Sequence, residues 1–179
     1  DLKQQYLAII EGQSKCLKKS DGAYVKGAEQ GNILNNVTRQ TYDGPKGILF
    51  IPCYYHREVV IWNADRKIVD RMSLTAPRFL AAKAANKRNG AKKLINDEGN
   101  EVVDTAYHYG LMINEDTGKT SQVTIGMPST KLKTSSLLNT LVRDCVVPIP
   151  GGKSFTPARY SQVYRMKVVP ESNSSGDFY

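Results

Sequence analysis

Aromatic side chains interleaved with cations are the residues of this chain with chemistry to offer. Tyr54, Tyr55 and Trp62 sit with His56, Arg57 and Arg66 in one stretch, and Tyr160 and Tyr164 sit with Arg159, Arg165 and Lys167 in another. Tyr107 stands in a third, DTAYHYGLMI. A ring of this kind stacks on any nucleobase for about 1–3 kcal/mol, and neighbouring Lys or Arg neutralises phosphate. The set therefore predicts a groove for single strands with little sequence preference. Stacking is expected from some of Tyr54, Tyr55, Trp62, Tyr107, Tyr160 and Tyr164. Phosphate contacts are expected from Arg57, Arg66, Lys131, Lys133, Arg159, Arg165 and Lys167.

The competing reading is structural. Tyrosines in strands fill cores and edges, because β propensity and ring burial alone place them there. Trp62 reads as packed on those grounds. Between Pro52 and Arg57 the apolar alternation fails, so Tyr54 and Tyr55 cannot easily share a core, and at least one is expected to face the groove.

Charge decides between the two readings. The net charge is +8, and its distribution is segregated. From Arg71 to Asn96 there is no acid, against Arg71, Arg78, Lys83, Lys87, Arg88, Lys92 and Lys93. From Thr117 to Pro170 the one acid is Asp144. Segregated positive charge favours a polyanion, because phosphate contacts release condensed counterions.

Catalysis finds little support. Gly151-Gly152-Lys153-Ser154 lacks the upstream glycine of a phosphate cradle, and no GxSxG or HExxH occurs. Asp97, Glu98, Glu101 and Asp104 could supply a metal-binding carboxylate pair, but charged loop residues of this kind are usually solvated. His108 has no second group placed to orient it as a base. No enzyme activity, cofactor or metal is expected. Cys16, Cys53 and Cys145 show no CxxC spacing, which suits reduced thiols in a cytoplasm. The first residues show no signal-peptide pattern, so a leader is absent or already removed.

The elements that position these residues follow from periodicity. LKQQYLAIIE, residues 2–11, has helical spacing, and residues 12–46 read as an irregular arm rich in Gly, Asn and Ser. GILFIP (47–52) and EVVIWN (58–63) are strands, either one long curved strand or two meeting at a corner near Pro52. Residues 64–100 form a basic excursion, read as a loop or short helix. Residues 105–113 and 121–127 alternate cleanly around Thr117-Gly118 and form a hairpin. A helix follows over residues 130–143, then a proline- and glycine-rich loop over 145–156, then a strand over 159–169. This order matches a mainly β fold, a five-stranded Greek-key OB barrel with one helix before the last strand or two. An open β-sandwich with an inserted helix is the alternative. The chain is expected to be one domain, 1–179: an N-terminal helical arm (1–46), a core (47–169) and a C-terminal extension (170–179).

The stretches YDGPKGILFIPCYYHREVVIWN, DTAYHYGLMI, STKLKTSSLLNTL and SFTPARYSQVYRMKVVPESNSSGDFY resemble a family of tailed-phage single-stranded DNA-binding proteins. They cover most of residues 42–179. The resemblance implies an OB-fold protein that coats single-stranded phage DNA during replication or recombination in the host cell cytoplasm, as an oligomer on DNA. Such proteins usually recruit phage or host replication proteins through an acidic C-terminal tail. The chain ends at Gly176-Asp177-Phe178-Tyr179 without one, which implies either a truncated tail or a different mode of recruitment. Two other classes stand beside this reading. One is a structural or assembly protein of the phage particle, contacting genome or neighbouring subunits. The other is a metal-dependent nuclease built on Asp97, Glu101 or Asp104.

Overall fold

A computed structural model of the chain describes residues 3–173 and 176–178. Where LKQQYLAIIE predicts a helix stands a strand, β1 (Tyr6–Ile9). Its pairing gives the reason. Leu7, Ala8 and Ile9 lie antiparallel to β2 (Ile33–Asn35). Tyr6 and Leu7 lie parallel to Thr124 and Ile125 on β7 (Thr120–Pro128). Leu7 is buried with Ile9 packed beside it. A short apolar run satisfies either period, and long-range pairing selects the strand. β3 (Thr41–Tyr42) then pairs with β2. The segment expected to be a helical arm is therefore the flank of a sheet.

β4 (Ile48–Trp62) absorbs both predicted strands into one, with Pro52 buried inside it. Its first residues pair with β10 (Tyr164–Met166) and its last with β5 (Ile68–Met72), with an irregularity at Ile61/Trp62. The predicted hairpin is present as β6 (Glu101–Ile113) and β7. The basic excursion holds β5 and α1 (Pro77–Ala85), and the predicted helix is α2 (Leu132–Asp144). Residues expected to be loop form a separate two-stranded hairpin, β8 (Val147–Ile149) with β9 (Lys153–Phe155). β11 (Glu171–Asn173) pairs with β12 (Gly176–Phe178).

The main sheet runs β10-β4-β6-β7-β1-β2-β3, with β5 also on β4. It is mixed, because β1 and β7 are parallel, and its end strands do not pair with each other, so no barrel closes. The expected five-stranded OB barrel is thus overturned. Three strands drawn from the supposed arm extend the sheet past β7, where a barrel would have to turn back and close.

The chain divides into two compact units. The first comprises Asp1–Tyr54, His108–Gly126 and Arg143–Tyr179; the second comprises Tyr55–Tyr107 and Met127–Val142. Each has its own core. In the first, Phe50 packs with Leu7, Ile33, Ile48, Met112 and Val123. Gly110 fits there because it has no side chain: a Cβ would strike the Ile51 carbonyl and the Phe50 ring. In the second, Val59, Ile61 and Val102 pack against Phe79 and Ala82 of α1. Full burial of a side chain such as Phe50 or Val59 contributes about 1.5–3 kcal/mol. Among the described residues no helix is long and apolar enough to cross a membrane.

Candidate nucleic-acid interface

In the first unit the burial along β4 runs Phe50 buried, Pro52 buried, then Cys53 and Tyr54 both exposed. The alternation fails at the corner where the sequence predicts it. Tyr54 is 60% exposed. Its ring lies 5.8 Å from that of Tyr109 on β6, with the planes tilted at 39°. The pair is a half-open aromatic surface rather than a core cluster.

Tyr164 stands opposite Phe50 in the antiparallel β10–β4 ladder. The chain before β10 therefore runs back toward the Tyr54 end of β4, through a 3₁₀ turn at Arg159–Ser161. Tyr160 in this turn is 68% exposed. Tyr164 is half-buried, and its hydroxyl donates to Gln162 Oε1. Arg159 is half-buried, close enough to His108 for its charge to act on that ring. Lys167 is exposed. Arg165 is held by a bidentate pair with Glu115, at 2.9 and 2.7 Å.

The other candidate residues belong to the second unit. Tyr55 and Trp62 are half-buried. Tyr107 is buried, with the Arg71 guanidinium 5.7 Å from its ring centroid and 3.5 Å from its hydroxyl. Arg57 donates Nε to Asp104 Oδ1 at 2.8 Å and Nη2 to Oδ2 at 2.6 Å. Arg66 donates to Glu101 at 2.8 Å. On the stretch leading into and along α2, Lys131 is half-buried and Lys133 exposed. The sequence-predicted set is thus shared between the units. Tyr54, Tyr160, Tyr164, Arg159, Arg165 and Lys167 lie in the first, and the remaining candidates in the second.

Sequence reasoning missed the carboxylates that answer these arginines. Asp104, Glu101 and Glu115 lie 47, 35 and 50 positions from their partners, so no local spacing signals the pairs. The same holds for the basic excursion. Arg71 meets Glu58, Arg78 meets Asp70 at 2.6 Å, Lys87 meets Asp97 at 2.5 Å, and Lys93 meets Glu101 at 3.0 Å. Much of the positive charge that looks segregated along the chain is answered in space. In the acid-poor segment from Thr117 to Pro170 the one acid, Asp144, pairs with the adjacent Arg143 at 2.7 Å, and Arg165 is answered from outside the segment by Glu115.

Among the described residues no three of His, Cys, Asp and Glu are grouped to hold a metal ion. Asp97 is exposed and occupied by Lys87, and Glu98 accepts from Asn100 at 3.0 Å. His108 is wholly buried. Burial, reinforced by the Arg159 charge, pulls its pKa down to about 4, so the ring is neutral near pH 7. A buried ring of this kind supports the sheet rather than reaching a substrate.

No curated protein and no solved structure matches the chain. The family model for the Pam3 phage gp34-like protein matches residues 5–179, nearly the whole length, and the chain belongs to that phage protein family.

Proposed function

We propose that this phage protein binds single-stranded nucleic acid without sequence preference, as DNA during phage replication or recombination. The observation that carries the proposal is Tyr54. It is large, aromatic and 60% exposed on a strand, beside a second ring at 5.8 Å. Tyr160 adds a second exposed ring. Lys167 adds an exposed cation in a segment whose one acid, Asp144, pairs with Arg143. Arg57, Arg66 and Arg165 are less suited to phosphate, because a strand would first have to displace Asp104, Glu101 and Glu115.

The test is a titration of fluorescein-labelled oligo-dT, followed by anisotropy at two salt concentrations, with a duplex of equal length beside it. Neutralising about three phosphates gives a slope of log K against log salt near −2 for a single strand. The expected result is salt-sensitive binding to oligo-dT with weaker binding to duplex. Equal affinity for both, or no dependence on salt, would overturn the proposal. A stable oligomer without oligo-dT binding would favour the particle-assembly reading instead.

A further inference from the structure

The β8–β9 hairpin of the first unit is exposed throughout and largely apolar. Every one of its six strand residues is exposed, and it joins no other sheet. Val147 stands opposite Phe155, and Ile149 opposite Lys153. Cross-strand partners and residues two apart share a face, so Val147, Ile149, Lys153 and Phe155 lie together on one side. Pro148 and Ser154 take the other. Phe155 is 50% exposed, Ile149 40% and Val147 36%.

Two features show that the hairpin is built and not a stray loop. Gly151 and Gly152 both have positive φ, at 88° and 75°, which supplies the tight reversal that other residues resist. Pro148 and Pro150 stiffen its first strand and turn. Yet an isolated two-stranded ribbon is marginally stable in water, and this one leaves its apolar face uncovered. It needs an occupant.

We infer that the occupant is the single strand itself, and that the hairpin is a wing on which one base stacks against Phe155 while Lys153 meets the adjoining phosphate. The inference rests on the function proposed above. Charge complementarity selects this occupant: the face carries one cation and no acid, and from Cys145 to Pro170 the chain has no carboxylate at all. A partner protein with an apolar patch would be served by Val147 and Ile149 alone. An aromatic ring two residues from a lysine, on one strand face, suits a base and its phosphate.

Phe155→Ala is expected to weaken oligo-dT binding about five- to tenfold, as loss of one stacked base does. Phe155→Trp retains binding and reports directly: oligo-dT quenches its fluorescence beyond any quenching of the wild-type Trp62. Lys153→Gln lowers the magnitude of the salt slope by about 0.7, one single-strand phosphate. Thermal midpoints of the variants, unchanged because the side chains are exposed, show that folding is intact. If wild-type protein binds oligo-dT while Phe155→Ala binds equally and Phe155→Trp is not quenched, the wing is overturned and the proposed function stands. If the wild type does not bind, both fall. If Phe155→Ala leaves binding intact but dissolves an oligomer seen by sedimentation, the face is an interface between copies and the wing is likewise overturned.

Discussion

Tyr54 on β4 and Tyr109 on β6 hold their rings 5.8 Å apart at 39°, a tilted pair with the Tyr54 side open to solvent. Tyr109 is half-buried and fixes the neighbouring ring without covering it. Such preorganisation lowers the entropy lost when a base adds to the stack. Tyr54→Ala should weaken oligo-dT binding about tenfold, and Tyr54→Phe should leave it within about twofold, since the ring and not the hydroxyl does the stacking. Anisotropy titrations at one salt concentration check both. Equal loss in Tyr54→Phe would show that a hydroxyl contact, not stacking, is at work.

His108 makes the first unit sensitive to acid. Its folded pKa of about 4 lies below the ordinary histidine value near 6.5, through burial first and the Arg159 charge second. Between those values the unfolded chain carries a proton that the folded chain excludes. Stability is therefore full above about pH 6.5 and falls as pH drops toward 4, by up to about 1.4 kcal/mol per pH unit from this residue. Two-dimensional NMR of the histidine ring protons should show the His108 ring staying neutral to below pH 5. A His108 midpoint near 6.5 would refute the assignment.

Gly44 is fixed by contact rather than by conformation. A Cβ there would overlap the Gly31 carbonyl oxygen and come to 3.0 Å from Val168 Cβ. The backbone around it is tied down, with Val168 N–H donating to Gly44 C=O at 2.9 Å and Gly31 N–H donating to Ile10 C=O at 2.9 Å. Gly44→Ala should cost at least about 2 kcal/mol in urea unfolding, because rigid backbone has to shift. Gly22→Ala and Gly90→Ala are the controls. Neither has an atom within 4 Å of the added carbon, and both should be neutral or slightly stabilising.

These contacts mark how far the sequence could be read. The β6–β7 hairpin was legible because Tyr107 through Ile113 and Val123 through Met127 alternate along a half-buried surface. α2 was legible because Leu132, Ser136 or Leu137, and Leu141 recur at helical spacing, but that stripe is not the buried face: Leu137 and Leu141 are exposed, and Ser135, Leu138 and Val142 are buried. β1 was not legible, because Tyr6–Ile9 fits either period and the choice is made by Asn35 and Thr124, far away in sequence. The β8–β9 hairpin was hidden by its own prolines and glycines, which signal a loop and here form the turn. For the candidate site, the failure of alternation at Pro52–Arg57 located an exposed tyrosine. The arginine–carboxylate pairs were invisible, since charge along a chain does not say which acid folds beside which base.

Glu101 at the start of β6 shows what those pairs do for the second unit. Arg66 Nη1 and Lys93 Nζ reach its Oε2 at 2.8 and 3.0 Å, and Asn89 Nδ2 reaches its Oε1 at 3.4 Å. Three separate points of the basic excursion are thus tied to one carboxylate. The backbone is tied there too: Ile95 N–H donates to Lys87 C=O at 3.0 Å, Asn89 N–H to Lys93 C=O at 3.0 Å, and Val102 N–H to Leu94 C=O at 2.9 Å. Glu101→Gln keeps the shape and one acceptor oxygen but removes the charge. Exposed ion pairs contribute at most about 1 kcal/mol each, so the unfolding midpoint should barely move. The local opening of residues 86–96 should nonetheless become about fivefold more frequent, since 1 kcal/mol is a large part of a small local stability. Amide hydrogen exchange at Ile95 and Val102 reads this directly, with β7 amides as the internal standard. Unchanged exchange at both would mean that Leu94, packed against the second core, holds the excursion without help from the charges.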